Sequence, residues 1–353
     1  MHNKLFIADS AFAIAGGRNI ADEYFFRSMR GNFIDFDLLI AGDAVAELSY
    51  VFDYYWNSRR VYTLDALEPD SRNAQKHRDE FERLTSGTES LFTPMKPDEK
   101  DLLGYRPLST DIEHPPLKML RGRIRVMADD PEKVSGRSEK GDDATTVTSQ
   151  VIEEIGRARE DVLLTSPYFV PGKAAFGKLQ QARARGVSMT LVTNTMASND
   201  EPFVSAAYAK YRPTMLKMGV QIYEISPSIL AKDMQLSEPL GSSVGRLHAK
   251  ILVLDRQTTL VGSMNFDLRS SRENTELGLL VDSPELAADV EELVGALRAV
   301  GTYRMRLSST GQAVQWVDDQ PDGEKVYDSE PEIGWGTRLE VWFLSPFVSE
   351  GLL

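Results

Sequence analysis

Cysteine is absent from the 353-residue sequence, and this absence excludes several kinds of chemistry. Disulfide bonds, thiolate zinc sites and cysteine nucleophiles all require a thiol, so none of them can operate in this chain. The redox compartment stays undecided, because a chain without thiols is compatible with either environment.

Excess positive charge and long hydrophobic runs are absent as well. The 53 acidic side chains outnumber the 40 basic ones and give a formal net charge of −13. Nonspecific nucleic-acid binders present basic surfaces, so this balance argues against that class. No apolar run approaches the length of a membrane span, and no signal peptide is recognisable. The composition, 42% hydrophobic and 26% charged, is typical of a globular protein, and the length favours two domains.

Histidine is rare, and two of the four histidines stand in a repeated pattern. The pattern His-x-Lys-x-x-x-x-Asp occurs twice, formed by His248, Lys250 and Asp255 and, at the N-terminus, by His2, Lys4 and Asp9. A Gly-x-x-Asn segment follows each copy and contributes Gly17 and Asn19 in the first, Ser263 and Asn265 in the second. Every residue of the second copy lies 246 positions after its counterpart. This repeat predicts two copies of one supersecondary unit.

The residue types in the motif suit work on a phosphate group. The apolar run after Lys250 predicts a buried strand, on which His248 and Lys250, two residues apart, point to the same face. An imidazole can act as a nucleophile or a proton donor near neutral pH, and a lysine ammonium neutralises phosphate oxygens. We expect the motif aspartate to orient an imidazole through its Nδ1–H, and the following Ser and Asn to contact phosphate oxygens. Two copies face to face would place one imidazole to attack phosphorus and the other to protonate the leaving oxygen.

A structural role is the alternative for these residues. For one copy alone, a core histidine beside an edge lysine explains the pattern about as well, because single motif matches are often accidental. Two copies with the same internal spacing, each followed by a Gly-x-x-Asn segment, favour the functional interpretation.

These residues resemble the phospholipase D superfamily over nearly the whole chain. Three further segments narrow the resemblance to bacterial cardiolipin synthases, nearest to the type C branch: residues 166–171 (Ser-Pro-Tyr-Phe-Val-Pro), Thr193-Asn194, and residues 263–270. The resemblance implies phosphatidyl transfer between phospholipids through a phosphohistidine, with hydrolysis as a side reaction and without a metal or other cofactor. It makes His2 the nucleophile and His248 the general acid, with the reverse assignment left open. It also implies substrate contacts by Gly17, Asn19, Ser263, Asn265 and Tyr168.

The same resemblance implies a location and partners. We expect a peripheral protein of the bacterial inner membrane that meets phospholipid substrates at the membrane surface and binds no nucleic acid. A homodimer and an accessory protein are both compatible with the sequence.

An α/β fold is expected, with two phospholipase D-like repeats, each a mixed β-sheet flanked by helices, and the active site at their interface. The predicted units are 1–57, the C-terminal part of a truncated first repeat; 58–142, a connection or subdomain broken by prolines; 143–303, the second repeat; and 304–353, a tail. Only Met1 precedes His2, whereas alternating helices and strands precede His248. We therefore expect this chain to begin at an internal methionine of a longer reading frame.

Local patterns predict the elements around the motifs. We expect a hairpin over 4–8 and 11–15, strands over 33–40, 162–165 and 276–281, and helices over 43–56, 71–84, 201–218 and 284–300. Asp43 is the predicted N-cap of the first of these helices. The prolines of 166–171 end a strand and place Tyr168 and Phe169 at its end, either to contact lipid or to fill the core.

Three surface segments carry open alternatives. A basic cluster of Lys118, Arg121, Arg123 and Arg125 fits anionic headgroups, although a solvated strand face is the better explanation. The loop 226–245, with Met234 and Leu236, can cover the site. The tail aromatics either pack on the domain, which we favour, or dip into a membrane interface; they are Trp316, Trp335, Trp342, Phe343 and Phe347.

Two other functions remain as alternatives. A phosphodiesterase acting on nucleic acid is found in the same superfamily, but the acidic balance argues against it. A non-catalytic remnant is the second, because His2 lies next to a chain terminus, and termini are poorly ordered unless they are tied down.

Overall fold

A computed structural model describes residues 1–67, 74–86, 119–135, 146–232 and 244–334, together with positions 110 and 336. Its strands are β1 Leu5–Ala8, β2 Phe12–Gly16, β3 Gly31–Ile34, β4 Asp37–Ala41, β5 Arg123–Ala128, β6 Asp161–Thr165, β7 Ser188–Asn194, β8 Gln221–Ile225, β9 Val244–Leu247, β10 Ile251–Leu254, β11 Thr258–Gly262, β12 Leu277–Asp282, β13 Thr302–Leu307, β14 Val314–Gln320 and β15 Gly323–Tyr327.

The helices lie between and after these strands. They are α1 Asp43–Trp56, α2 Leu64–Leu67, α3 Ala74–Thr85, α4 Val147–Arg157, α5 Gly172–Ala184, α6 Pro202–Ala209, α7 Arg212–Lys217, α8 Pro227–Leu230, α9 Leu268–Arg272 and α10 Pro284–Gly301, with 3-10 turns at Asp22–Phe25 and Pro131–Ser135.

A ten-stranded mixed sheet forms the larger part of the molecule. Its strand order is β15-β14-β13-β8-β7-β6-β10-β11-β12-β5. The neighbours β6, β7 and β8 run parallel, and the other pairs are antiparallel. Helices α4 and α5 bury one face, where Val151 and Ile155 pack with Leu252 and Leu260. Helix α10 covers the other face through Val290 and Val294. The expected α/β fold with sheets flanked by helices is confirmed.

The N-terminal residues form a second, three-stranded sheet of order β1-β2-β4. The predicted hairpin is confirmed, since β1 pairs antiparallel with β2. Ala13 and Ala15 of β2 and Leu48 of α1 pack against Leu277 and Leu279 of β12. The small sheet is therefore joined to the large one by a shared apolar core.

The two repeats also contact each other through a parallel pair of short strands, β3 and β9. The predicted single strand over 33–40 is wrong in one respect, because β3 ends at Ile34 and β4 begins at Asp37. The two residues between them, Asp35 and Phe36, lie where the chain passes from the β3–β9 pair to the three-stranded sheet.

Other differences from the sequence prediction have local causes. The helix expected over 201–218 is divided into α6 and α7, because Pro213 has no N–H to donate to the preceding turn. Gly42, with φ of +92°, takes the N-cap position assigned to Asp43, which is instead the first residue of α1. Part of the predicted tail forms β13, β14 and β15, and Trp316 of β14 is buried.

The predicted strand carrying Arg123 and Arg125 is confirmed as β5, the edge strand beside β12. Several predicted surface residues lie outside the described residues: Lys118, Met234, Leu236, Trp335, Trp342, Phe343 and Phe347. Within the described ranges, every helix is too short or too polar to pass through a bilayer. The predicted domain boundaries and the predicted upstream extension remain predictions.

Candidate active site

The second motif begins in the connection between β9 and β10, not on a strand as predicted. The backbone N–H groups of His248 and Ala249 both donate to the Ile34 carbonyl, at 2.8 and 3.1 Å. Ile34 belongs to the first repeat, so that repeat fixes the backbone of the second motif. His248 and Lys250 still share one side, since the Lys250 Nζ lies 3.0 and 3.1 Å from the two ring nitrogens.

The imidazole of His248 is held from two directions. Its Nδ1 lies 2.6 Å from the Asp35 Oδ2, which makes Nδ1 the protonated nitrogen of the neutral ring. Its Nε2 lies 3.3 Å from the Tyr24 hydroxyl. The rings of Tyr24 and Phe33 stand 5.0 and 4.9 Å from the imidazole centroid. A buried pocket of first-repeat residues therefore fixes the ring of the second motif.

The first motif is tied to the second repeat in the same way. The backbone N–H of His2 donates to the Thr275 carbonyl at 3.0 Å, and its Nδ1 lies 2.9 Å from the Glu276 Oε2. The Lys4 Nζ donates to the His2 carbonyl at 2.7 Å, as the Lys250 Nζ does to the His248 carbonyl at 2.6 Å. The side chain of His2 is 27% exposed, so the ring lies partly buried and partly open to solvent.

Asp35 and Glu276 occupy equivalent places in the two repeats. Each stands just before the strand that pairs with the second strand of the motif hairpin, β4 in one repeat and β12 in the other. The carbonyl of the next residue accepts from Gly17 N–H in the first repeat and from Ser263 N–H in the second. Each imidazole therefore takes its carboxylate from the opposite repeat.

Sequence reasoning missed these two carboxylates. The first copy has a few more residues between its Asn and its acid than the second, so the constant spacing of the motif is lost there. The one available signal was a pair of aspartates, Asp35 and Asp37, inside a mainly apolar strand pattern, and the sequence does not distinguish between them. Tyr24 was missed as well, because nothing in its neighbourhood repeats.

The expectation that the motif aspartates orient the imidazoles is wrong. The Asp255 carboxylate accepts from the backbone N–H groups of residues 159, 160 and 161, at 2.7 to 3.1 Å. Asp9 is exposed in the β1–β2 turn with φ of +51°, and Asp255 has a matching φ of +52°. Both aspartates are turn residues, since Asp tolerates the left-handed conformation and binds nearby backbone groups.

The predicted substrate-contacting residues lie in different environments. Ser263 donates to the Glu276 carboxylate and accepts from Leu277 N–H, so it supports the acid that holds His2. Asn265 is buried, and its Oδ1 has no hydrogen-bond partner among the described residues. Asn19 is exposed, with its Oδ1 accepting from Ile20 N–H. A Cβ at Gly17 would stand 2.2 Å from an Asp35 oxygen, so glycine makes room for that carboxylate.

Tyr168 and Phe169, which follow β6, have different roles. Phe169 is buried and stacks on Phe266, so it fills the core. Tyr168 is partly exposed, and its hydroxyl donates to the Asp200 carboxylate at 2.7 Å. Burial, together with the charge of Asp200, raises the pKa of Tyr168 well above its usual range. A contact between Tyr168 and substrate stays a prediction.

The charged groups of the two motifs affect one another's pKa values. Burial and the Lys250 ammonium lower the pKa of His248 to about 4, against the opposing effect of Asp35. Burial also lowers the pKa of Lys250, to about 8, and lowers that of Lys4. Burial acts to raise the pKa of Asp35, but the His248 hydrogen bond and the Lys250 charge outweigh it and leave that pKa below its usual value. Near neutral pH the site therefore holds a neutral His248 and an ionised Asp35 beside the Lys250 ammonium.

Chemically, the cationic side chains of the two motifs make a site suited to an anion. Lys4 interacts with Asp35 and with His248 across the repeat boundary, and Lys250 with Glu276. The described residues contain no group of three or more His, Asp or Glu side chains that could hold a metal ion. The fold and site define a class: an α/β protein of two repeats in which paired His–Lys motifs meet at the repeat interface.

Comparison with known proteins agrees with that class. Residues 151–297 match the family model described as "Cardiolipin synthase, PLD-like domain". Cardiolipin synthase C of Escherichia coli K12 is 28% identical over 357 residues, which cover 100% of this chain and 73% of that protein. Cardiolipin synthase A of Pseudomonas fluorescens is 25% identical over 298 residues, which cover 84% of this chain but only 47% of the relative.

Among solved structures, the crystal structure of phosphatidylserine synthase from Haemophilus influenzae Rd KW20 has a TM-score of 0.56 at 14% identity. The match covers 100% of this chain and 70% of that one, and it shows the fold alone. Residues 151–297 are therefore similar to the phospholipase D-like domain of cardiolipin synthases, and the similarity to a cardiolipin synthase extends over the whole chain.

Proposed function

We propose that the protein transfers phosphatidyl groups between phospholipids to make cardiolipin, with hydrolysis as a side reaction. The observation that carries the proposal is the crossed arrangement of the two motifs. Each imidazole is held at Nδ1 by a carboxylate of the opposite repeat, at 2.6 Å for His248 and 2.9 Å for His2. The Nε2 atoms are thereby assigned to the reaction, and two ammonium groups stand beside them to neutralise phosphoryl oxygens.

The assignment of roles follows from the neutral state of His248. The Nε2 of His248 attacks phosphorus, an N–P bond forms, and the P–O bond to the leaving alcohol breaks while His2, as the general acid, gives that oxygen its proton. In the second half, His2 takes the proton of the acceptor alcohol, whose oxygen attacks phosphorus and releases His248. This assignment reverses the one implied by family resemblance. Its support is the lowered pKa of His248, about 4, which keeps that ring unprotonated at neutral pH.

A donor with a good leaving group separates the two roles. A phosphatidyl ester of p-nitrophenol needs no acid to expel its leaving group. His2→Asn is therefore expected to keep a burst of p-nitrophenol and a phosphorylated His248, whereas His248→Asn loses both. The burst is measured by absorbance and the modified residue by mass spectrometry. His77→Asn, at an exposed position of α3, is the matched control and should behave as the wild type.

The opposite outcome would restore the family-derived roles. If His248→Asn kept the burst and His2→Asn lost it, His2 would be the nucleophile. If neither variant changed transfer to phosphatidylglycerol, the two-histidine mechanism would be wrong.

The alternatives are weighed by the same observations. The formal charge of −13 disfavours a nuclease, and a nuclease assay beside the lipid-transfer assay distinguishes the two substrates. The backbone and ring hydrogen bonds of His2 favour a held terminus over a fraying one, which disfavours a non-catalytic remnant. The phospholipid substrates imply peripheral membrane association, which flotation with phosphatidylglycerol vesicles would test.

A further inference from the structure

Tyr24 reaches the reactive nitrogen of the second motif from the first repeat. It lies in the 3-10 turn Asp22–Phe25 and is 9% exposed. Its hydroxyl lies 3.3 Å from the His248 Nε2, and its ring meets the imidazole edge-on at an interplanar angle of 88°. Since Asp35 accepts from Nδ1, Nε2 is the acceptor, and the phenol approaches it as a donor at 3.3 Å beside the Lys250 ammonium at 3.1 Å.

The corresponding segment of the second repeat, between Asn265 and Glu276, makes a different contact. There Ser270 of α9 donates its hydroxyl to the Glu276 Oε1 at 2.8 Å. Ser270 thus supports the carboxylate that holds His2. Tyr24 instead reaches the imidazole itself. The repeat alone does not account for Tyr24. Its hydroxyl contacts the His248 Nε2, the atom that attacks phosphorus in the proposed reaction.

We propose that Tyr24 is a catalytic residue that covers the His248 Nε2 in the free protein and donates to a phosphoryl oxygen once that nitrogen carries the phosphatidyl group. The phenol keeps its proton throughout, so the bonds made and broken are those of the transfer itself. This inference rests on the proposed function, with His248 as the nucleophile.

Two observations support the donor role. Burial and the charge of Asp35 raise the pKa of Tyr24 to about 12, so the phenol stays protonated over the working pH range. Phe33 packs on the Tyr24 ring at a centroid distance of 4.7 Å, which holds the hydroxyl in place. A fixed neutral donor beside a developing oxyanion stabilises the transition state without reorganising. While Nε2 is free, the same hydroxyl occupies the place from which water would approach it.

Tyr24→Phe removes the hydroxyl and keeps the ring packing. We expect the rate of phosphohistidine formation from the p-nitrophenyl donor to fall by about 100-fold, the lower end of the loss typical of one oxyanion donor. The thermal midpoint should change little. Tyr62→Phe, at a position 65% exposed, is the matched control and should keep the wild-type rate.

A second measurement does not depend on turnover. A hydroxyl that donates to Nε2 favours the neutral imidazole, so Tyr24→Phe should raise the pKa of His248 in an NMR titration of the free protein. An unchanged rate together with an unchanged titration would overturn the role of Tyr24 alone. A wild-type protein that forms no phosphohistidine would instead overturn the proposed function, and the catalytic role of Tyr24 with it.

Discussion

The two copies of the motif differ in what covers their hairpins. In the second copy, Leu252 and Leu260 are 0% and 5% exposed beneath α4 and α5. Their counterparts in the first copy, Phe6 and Ile14, are 63% and 38% exposed. Both copies nevertheless hold a His–Lys pair, and each repeat places a carboxylate against the imidazole of the other. The geometry of the site therefore depends on the hairpin, the following strand and the opposite repeat, and the apolar cover is separable from it.

The two copies are alike in how their imidazoles are held, since each ring contacts a carboxylate of the opposite repeat. Asp35→Asn and Glu276→Gln should each lower kcat by about 10³- to 10⁴-fold, the loss expected when an imidazole is no longer held in its reactive tautomer. The measurement is phosphatidyl transfer with purified protein.

Asp255→Asn is the control for this prediction. Its carboxylate binds the backbone at residues 159–161, so this change should affect stability more than kcat. If Asp255→Asn lost activity as severely as Asp35→Asn, the structural assignment of the motif aspartate would be wrong.

The sequence was informative where the pattern was local. The histidines, the lysines, the first hairpin and α1 followed from spacing and periodicity. Asp35, Glu276 and Tyr24 did not, because each acts on the opposite repeat and no local pattern marks such a contact. The strand over 33–40 was predicted as continuous, yet β3 and β4 pair in different sheets, and Asp35 between them holds His248. The strands β13 to β15 were missed because β13 joins the sheet through β8, far away in sequence, and β14 and β15 add to the sheet only through β13.

Because the second hairpin is buried and the first is exposed, equivalent substitutions should change the free energy of unfolding by different amounts. Leu252→Ala should destabilise the protein by about 2 to 5 kcal/mol, because it removes buried methyl groups and leaves a cavity. Phe6→Ala, at the equivalent and exposed position, should change the free energy of unfolding by no more than about 0.5 kcal/mol. Urea unfolding followed by circular dichroism measures both. A loss at Phe6 as large as that at Leu252 would mean that the first hairpin is covered in solution.

Protonation of His248 should make the stability of the protein depend on pH. Its pKa is about 4 in the folded protein and about 6.5 in an unfolded chain, so the unfolded state binds more protons between these values. Stability should therefore be fully present above pH 6.5 and decline as the pH falls toward 4, by at most about 3.5 kcal/mol at about 1.4 kcal/mol per pKa unit. His248→Asn should flatten this part of the stability curve, whereas His77→Asn should leave it unchanged. Parallel curves for His248→Asn and wild type would show that the ring is not held neutral, and the proposed order of attack would lose its support.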